Sequence, residues 1–109
     1  MTEQALFILA SLALGELHGY GIARDVEELS GGRVRLTAGT LYGALNRLTA
    51  DGLVTQSRED VVAGRRRRYY RLTAAGQTAL ADETARLRSL ATALGSRSGV
   101  RPNRKPRLA

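Results

Sequence analysis

The sequence predicts an α+β fold, mainly α: a winged helix-turn-helix closed by a long C-terminal helix. Three observations predict it. Apolar residues recur at helical spacing in three segments before Leu53, each bounded by glycine. Two alternating segments then fold back on one another around Val61–Gly64. A last helical segment carries leucines at heptad-like spacing. The order is helix, helix, short strand, helix, hairpin, long helix.

The elements follow in turn. Thr2 supplies a capping oxygen for the first helix, with Glu3 near its positive end. Ala5, Leu6, Ile8, Leu9, Leu12 and Ala13 make a broad apolar face, Phe7 is the sole phenylalanine, and Gly15 is placed to end the helix. His18-Gly19-Tyr20-Gly21 breaks the pattern and opens a second helix. Its stripe is Ile22, Ala23, Val26 and Leu29, with Arg24, Asp25, Glu27 and Glu28 mainly away from it. Ser30-Gly31-Gly32 stops it, and the alternation of Arg33-Val34-Arg35-Leu36 predicts a short strand. Thr37 caps a third helix running to about Asp51, with Leu41, Ala44, Leu45 and Leu48 on one face and Gly52 at its end. Helices two and three, joined by a short glycine-containing connection, form a helix-turn-helix unit. Leu53–Asp60 predicts a strand, Val61–Gly64 a hairpin tip and Arg67–Leu72 the returning strand of a wing. Alternation points Tyr70 and Leu72 inward and Tyr69 outward. Thr73 caps a fourth helix, Ala74–Leu94, whose seam is Leu80, Leu87, Leu90 and Leu94. Residues 1–73 thus form the winged unit and 74–94 a helical arm. Residues 95–109, with both prolines, five basic residues and no acid, form a tail expected to be disordered when free.

Composition narrows the function. With 109 residues, 43% hydrophobic and 25% charged, the chain is one globular domain. It has no cysteine, hence no disulfide, thiolate zinc site or cysteine nucleophile, which fits a cytoplasmic protein. Ala5–Ala10 and Leu12–Leu14 are too short to span a bilayer, and no basic segment precedes them, so neither a membrane span nor a signal peptide is expected. His18 is the only histidine. Glu16 or Asp25 would be its metal partners, but nothing sets ligand spacing, so it is expected to be structural or to cap the second helix, with no metal. There is no nucleophile–base pairing and no phosphate-binding glycine loop, so neither enzymatic activity nor a cofactor is expected.

The net charge is +7, unevenly spread. Residues 1–60 hold five arginines against eight carboxylates, whereas residues 61–109 hold twelve basic side chains against two acidic ones. Gly64–Thr73 packs five arginines and two tyrosines into ten residues. Charges so close repel one another, and a nucleic-acid backbone is the usual partner that neutralises them. A run exposed only to solvent is the alternative. The third helix supports the first reading. Opposite its apolar face stand Thr40, Tyr42, Gly43, Asn46 and Arg47, small, hydrogen-bonding or basic groups that suit a helix laid in a groove.

Four fragments in this order resemble the PadR-type transcriptional regulators, in the short form with one C-terminal dimerisation helix. They are Leu17-His18-Gly19-Tyr20-Gly21-Ile22, Gly39-Thr40-Leu41-Tyr42-Gly43-Ala44-Leu45 with Leu48, Asp51-Gly52-Leu53-Val54, and Gly64 through Thr73 with Gly76. Together they cover about residues 5–94. Each is weak alone, and their common order and spacing are specific. The chain departs from the pattern twice. Many members have proline where Gly43 follows the Leu-Tyr pair, and the chain has no tryptophan, so it lacks the sandwich with which some multidrug-sensing relatives hold flat drugs.

The resemblance implies a homodimer joined through the fourth helix, binding a palindromic operator in double-stranded DNA as a repressor. The leucine seam agrees. A lone helix would expose Leu80, Leu87, Leu90 and Leu94, and burying a leucine is worth roughly 1.5–3 kcal/mol. Packing of the seam on the chain's own first helix is the alternative, and both arrangements can coexist. Two-fold symmetry would set two third helices in successive major grooves about 34–36 Å apart. Thr37, Thr40, Tyr42, Asn46 and Arg47 are the groove candidates. Asn46 could read adenine and Arg47 guanine, or either could meet phosphate or solvent. Gly39 would let the helix N-terminus approach a phosphate, or would simply permit a tight helix start. Arg65, Arg66, Arg67 and Arg68 would grip phosphates or enter a minor groove. The family suggests that the Tyr20 hydroxyl donates to a phosphate; a half-buried place between helices is the other reading. The basic tail would add non-specific affinity or remain a solvated end. Release would follow entry of a small apolar or aromatic inducer between the first and fourth helices, lined by Leu6, Phe7, Leu87, Leu90 and Leu94. Two other functions compete: a winged module gripping RNA or an acidic protein, and an effector-free architectural DNA binder.

Overall fold

The computed structural model describes residues 1–99. The elements are α1 (Glu3–Ser11), β1 (Leu17–His18), α2 (Gly19–Leu29), α3 (Ala38–Ala50), β2 (Val54–Val62), β3 (Arg65–Leu72) and α4 (Ala74–Ser98). The strands form one antiparallel sheet in the order β1-β3-β2. This is the expected α+β, mainly α architecture.

Local chemistry accounts for the helix ends. Thr2, Thr37 and Thr73 all cap as expected, accepting from the backbone N–H of Ala5, Thr40 and Gly76 at 3.0, 3.2 and 3.0 Å. At the end of α2, Gly32 N–H donates to Glu27 and Gly31 N–H to Glu28, which gives two of the last carbonyls of the helix a backbone donor beyond it. The end of α3 repeats the pattern, with Leu53 donating to Leu48 and Gly52 to Thr49.

One core joins the elements. Ile8 and Leu9 from α1, Ile22 and Val26 from α2, and Leu41, Leu45 and Leu48 from α3 meet Val54, Tyr70 and Leu72 from the sheet. Leu45 is fully buried, and its truncation to alanine would cost about 2–5 kcal/mol. Tyr70 and Leu72 point inward and Tyr69 outward, as the alternation requires.

The wing is longer than the sequence suggests. Its strands reach Val62 and Arg65, leaving Ala63 and Gly64 as a two-residue tip with φ of 52° and 76°. Two positive φ values match the twist of a tight hairpin, although alanine adopts that region at some cost. Register shifts between Gln56 and Arg58, where Ser57 forms a bulge.

Three boundaries differ from expectation. Arg33–Leu36 is a loop, not a strand. Val34 is buried and its N–H donates to Ser30 Oγ at 2.9 Å, while Arg33 and Arg35 reach out to ion-pair with Glu3 and Glu27. The third strand is instead β1, pairing Leu17 with Tyr70 and His18 with Tyr69. The first helix ends at Ser11 rather than near Gly15, leaving Leu14 wholly exposed in the following turn. The fourth helix continues past Leu94 and through Gly95 to Ser98. The tail expected at 95–109 therefore begins as helix, and residues 100–109 lie outside the described residues.

Candidate nucleic-acid interface

Close packing at the start of α2 organises the site. A Cβ on Gly19 would fall 2.4 Å from the Tyr42 hydroxyl, so only glycine lets Tyr42 of α3 lie over the first turn of α2. Tyr20, one residue on, is 68% exposed. Its ring lies 6.3 Å from the His18 ring, and the Arg24 guanidinium sits 5.9 Å from its centre. His18 in turn packs against Tyr69 of β3 at 5.5 Å. His18 holds the position that caps α2, but its side chain makes no capping hydrogen bond. It serves as a ring joining α2 to the wing.

The wing arginines complete a cleft. His18, Gly19, Tyr20, Tyr42 and Arg65–Arg68 surround a space of about 330 Å³. Tyr20, Tyr42 and the four arginines singled out in the sequence therefore line one cleft. The remaining candidates lie elsewhere on α3. Gly39, Thr40 and Arg47 line a second cleft of about 260 Å³ against Thr2, Gln4 and Ala5 of the α1 start. A Cβ at Gly39 or Gly43 would meet nothing within 4 Å, so α3 presents bare backbone there. Asn46 is exposed and lines neither cleft. Thr37 is exposed, but its hydroxyl is engaged in the α3 cap and donates to Thr40 Oγ1 at 3.0 Å. A larger cleft of about 410 Å³, between the end of α1 and α2, shares none of these residues except Arg24 beside Tyr20.

The electrostatics favour an anion. Among the described residues, Arg66 pairs with Glu59 at 3.4 Å, and Arg65, Arg67 and Arg68 form no ion pair. Burial pushes the His18 imidazole below its usual pKa, and Arg67 lowers it further against an opposing pull from Asp60. Burial raises the Tyr70 phenol, with Tyr42 adding and Arg68 opposing.

Sequence reasoning missed a network on the outward face of the wing. Glu16 accepts from Ser57 Oγ at 2.6 Å and from Arg58 Nε at 2.5 Å, and Arg58 Nη1 donates to Asp60 Oδ2 at 2.9 Å. These bonds hold the Glu16 carboxyl below its usual pKa. Strand alternation places Arg58 and Asp60 on one face, which was legible; the reach of Glu16 across the sheet was not.

The fourth-helix leucines separate into two groups. Leu80 is half-buried and packs against the core, so the seam starts on its own domain. Leu87, Leu90 and Leu94 are 37%, 45% and 59% exposed. Leu6 and Phe7 of α1 are half-buried, and Phe7 also packs on the core. Among the described residues, no three His, Asp or Glu side chains group to hold a metal ion, and no helix is long and apolar enough to cross a membrane.

A helix-turn-helix followed by a wing defines the winged-helix class of fold. Residues 8–82 match the Transcriptional regulator PadR-like family, and the chain belongs to it. It is 43% identical over 99 residues to Transcriptional regulator Rv3488 of Mycobacterium tuberculosis, covering 90% of this chain and 89% of that one. Among solved structures it is similar to a PadR family transcription regulator of Clostridium difficile, with a TM-score of 0.74 and 25% identity over 87% of this chain and 97% of that one. Bacillus subtilis PadR in complex with operator DNA has the same fold, with a TM-score of 0.65 and 24% identity over 96% of this chain and 51% of that one.

Proposed function

We propose that this chain is a homodimeric transcriptional repressor of the cytoplasm that binds a palindromic operator in double-stranded DNA and is released by a small apolar or aromatic ligand. The convergence of Tyr20, Tyr42 and Arg65–Arg68 on one cleft, with three of the arginines outside any ion pair, carries the reading. The solved complex of Bacillus subtilis PadR with operator DNA supports the choice of partner. In this account residues 1–73 bind DNA. Exposed Asn46 and Arg47 read base edges, Gly39 and Thr40 set the start of α3 against the backbone, and Thr37 orders that start as its cap. Tyr20 and Tyr42 donate to phosphates at the cleft mouth, and the arginines grip the backbone. The helical arm from residue 74 joins two copies through Leu87, Leu90 and Leu94, while Leu80 anchors the arm to its own core. The ligand enters between α1 and the arm, against Leu6, Phe7, Leu87, Leu90 and Leu94.

Salt-titrated binding to a fluorescent duplex of mixed sequence tests the partner and the residues together. Affinity should fall steeply with salt. Replacing Arg65, Arg67 and Arg68 by alanine should make the log–log slope shallower by about 0.9 for each phosphate left without its arginine. A slope unchanged by the triple variant would remove the wing from the interface. Absence of duplex binding at low salt would overturn the reading and direct the search to RNA or acidic proteins.

A further inference from the structure

Carboxylates face the wing arginines, yet among the described residues only Arg66 of them forms an ion pair and Arg67 stays unpaired. Asp60 stands directly opposite Arg67 in the β2–β3 register. Opposite charges so placed across an antiparallel pair attract one another. Instead, Asp60 Oδ2 accepts from Arg58 at 2.9 Å, and the same guanidinium donates to Glu16 at 2.5 Å. It lies 3.8 Å from the centre of the Tyr69 ring, which fixes its plane between the two acids. The bulge at Ser57 makes this arrangement possible. Without the extra residue, the register that pairs Gln56 with Tyr70 would set Arg58 against Arg68, like charge against like. The other Asp60 oxygen, Oδ1, is shielded from solvent and has no hydrogen-bond partner among the described residues. Released from Arg58, that carboxylate faces Arg67, its partner in the cross-strand register.

We infer that Arg58 is a positioning residue of the wing. By holding Glu16 and Asp60 it keeps Arg67 unpaired for DNA phosphate, and it does not itself touch the DNA. This rests on the DNA-binding reading above. The same mixed-sequence duplex tests it, with the full chain, through Arg58→Gln, Asp60→Asn and the double variant. Arg58→Gln should lower affinity about fivefold at low salt and flatten the salt slope by about 0.9, the signature of one phosphate left without its arginine. Asp60→Asn in that background should restore affinity to within about twofold of the parent and restore the slope; alone, it should change little, so the two effects are non-additive. If Arg58 itself gripped a phosphate, Asp60→Asn would raise affinity by one factor in both backgrounds, and the inference would fall. An unchanged Arg58→Gln would also overturn it while leaving the DNA-binding reading intact. A parent that binds no duplex would overturn both. Should Arg58→Gln fail to fold by circular dichroism, Arg58→Lys serves. It keeps the charge but cannot fork between two carboxylates, so it should show a smaller loss that Asp60→Asn cancels.

Discussion

At the residue scale, His18 links α2 to the wing within the candidate interface. Its ring lies between Tyr20 of α2 and Tyr69 of the wing, and both burial and Arg67 favour its neutral form. The folded pKa is therefore below 6.5, so the folded state binds fewer protons than the unfolded one as the solution is acidified. The stability this group contributes is present above 6.5 and is lost as pH falls through the folded value. As the sole histidine, it gives one imidazole resonance to follow by NMR. The midpoint is expected below 6.5 and should move up in Arg67→Ala; a midpoint at or above 6.5 would contradict the packing described.

At the element scale, two helical glycines have opposite meanings. A Cβ on Gly76 would fall 2.0 Å from the Leu53 carbonyl oxygen, because Thr73 ties the start of α4 to the end of α3. Gly43 has open space. Gly76→Ala should destabilise by about 2 kcal/mol through this backbone clash, and Gly43→Ala should stabilise by about 1 kcal/mol through helix propensity. Thermal or urea unfolding of the two variants checks both; the same sign for both would mean that the close approach at Leu53 is wrong. Elements set by neighbouring residues were legible in the sequence. The three threonine caps and the inward Tyr70 needed only spacing of three or two residues. The two-residue β1 was not legible, since it has no period to read. Arg33–Leu36 imitated a strand because buried Val34 lies between two arginines that reach carboxylates on other helices. The Glu16–Arg58–Asp60 network depended on the bulge at Ser57, and a one-residue change of register has no signal in composition.

At the scale of the whole molecule, α4 extends about 37 Å at the usual helical rise, and its second half exposes Leu87, Leu90 and Leu94. A second copy covering them would recover part of roughly 1.5–3 kcal/mol per leucine, which is how the arm would hold the proposed dimer. Sedimentation should give a dimer for the parent and a folded monomer for Leu90→Glu/Leu94→Glu; an unchanged dimer would place the interface elsewhere. The candidate site was legible as a set of residues but not as a shape. Sequence grouped Tyr20, the α3 face and the arginines, whereas folding sets Tyr42 in a cleft with Gly19 and the arginines, Arg47 in another beside the start of α1, and Asn46 outside both. The central claim is that these surfaces together read duplex DNA. The most direct measurement is selection of bound sequences from a random duplex pool. A palindromic site with half-site centres one helical turn apart, about 34–36 Å, and a preference altered by Asn46→Ala and Arg47→Ala, is the expected result. A pool that emerges unenriched, or a selected site whose preference ignores both substitutions, would contradict the account.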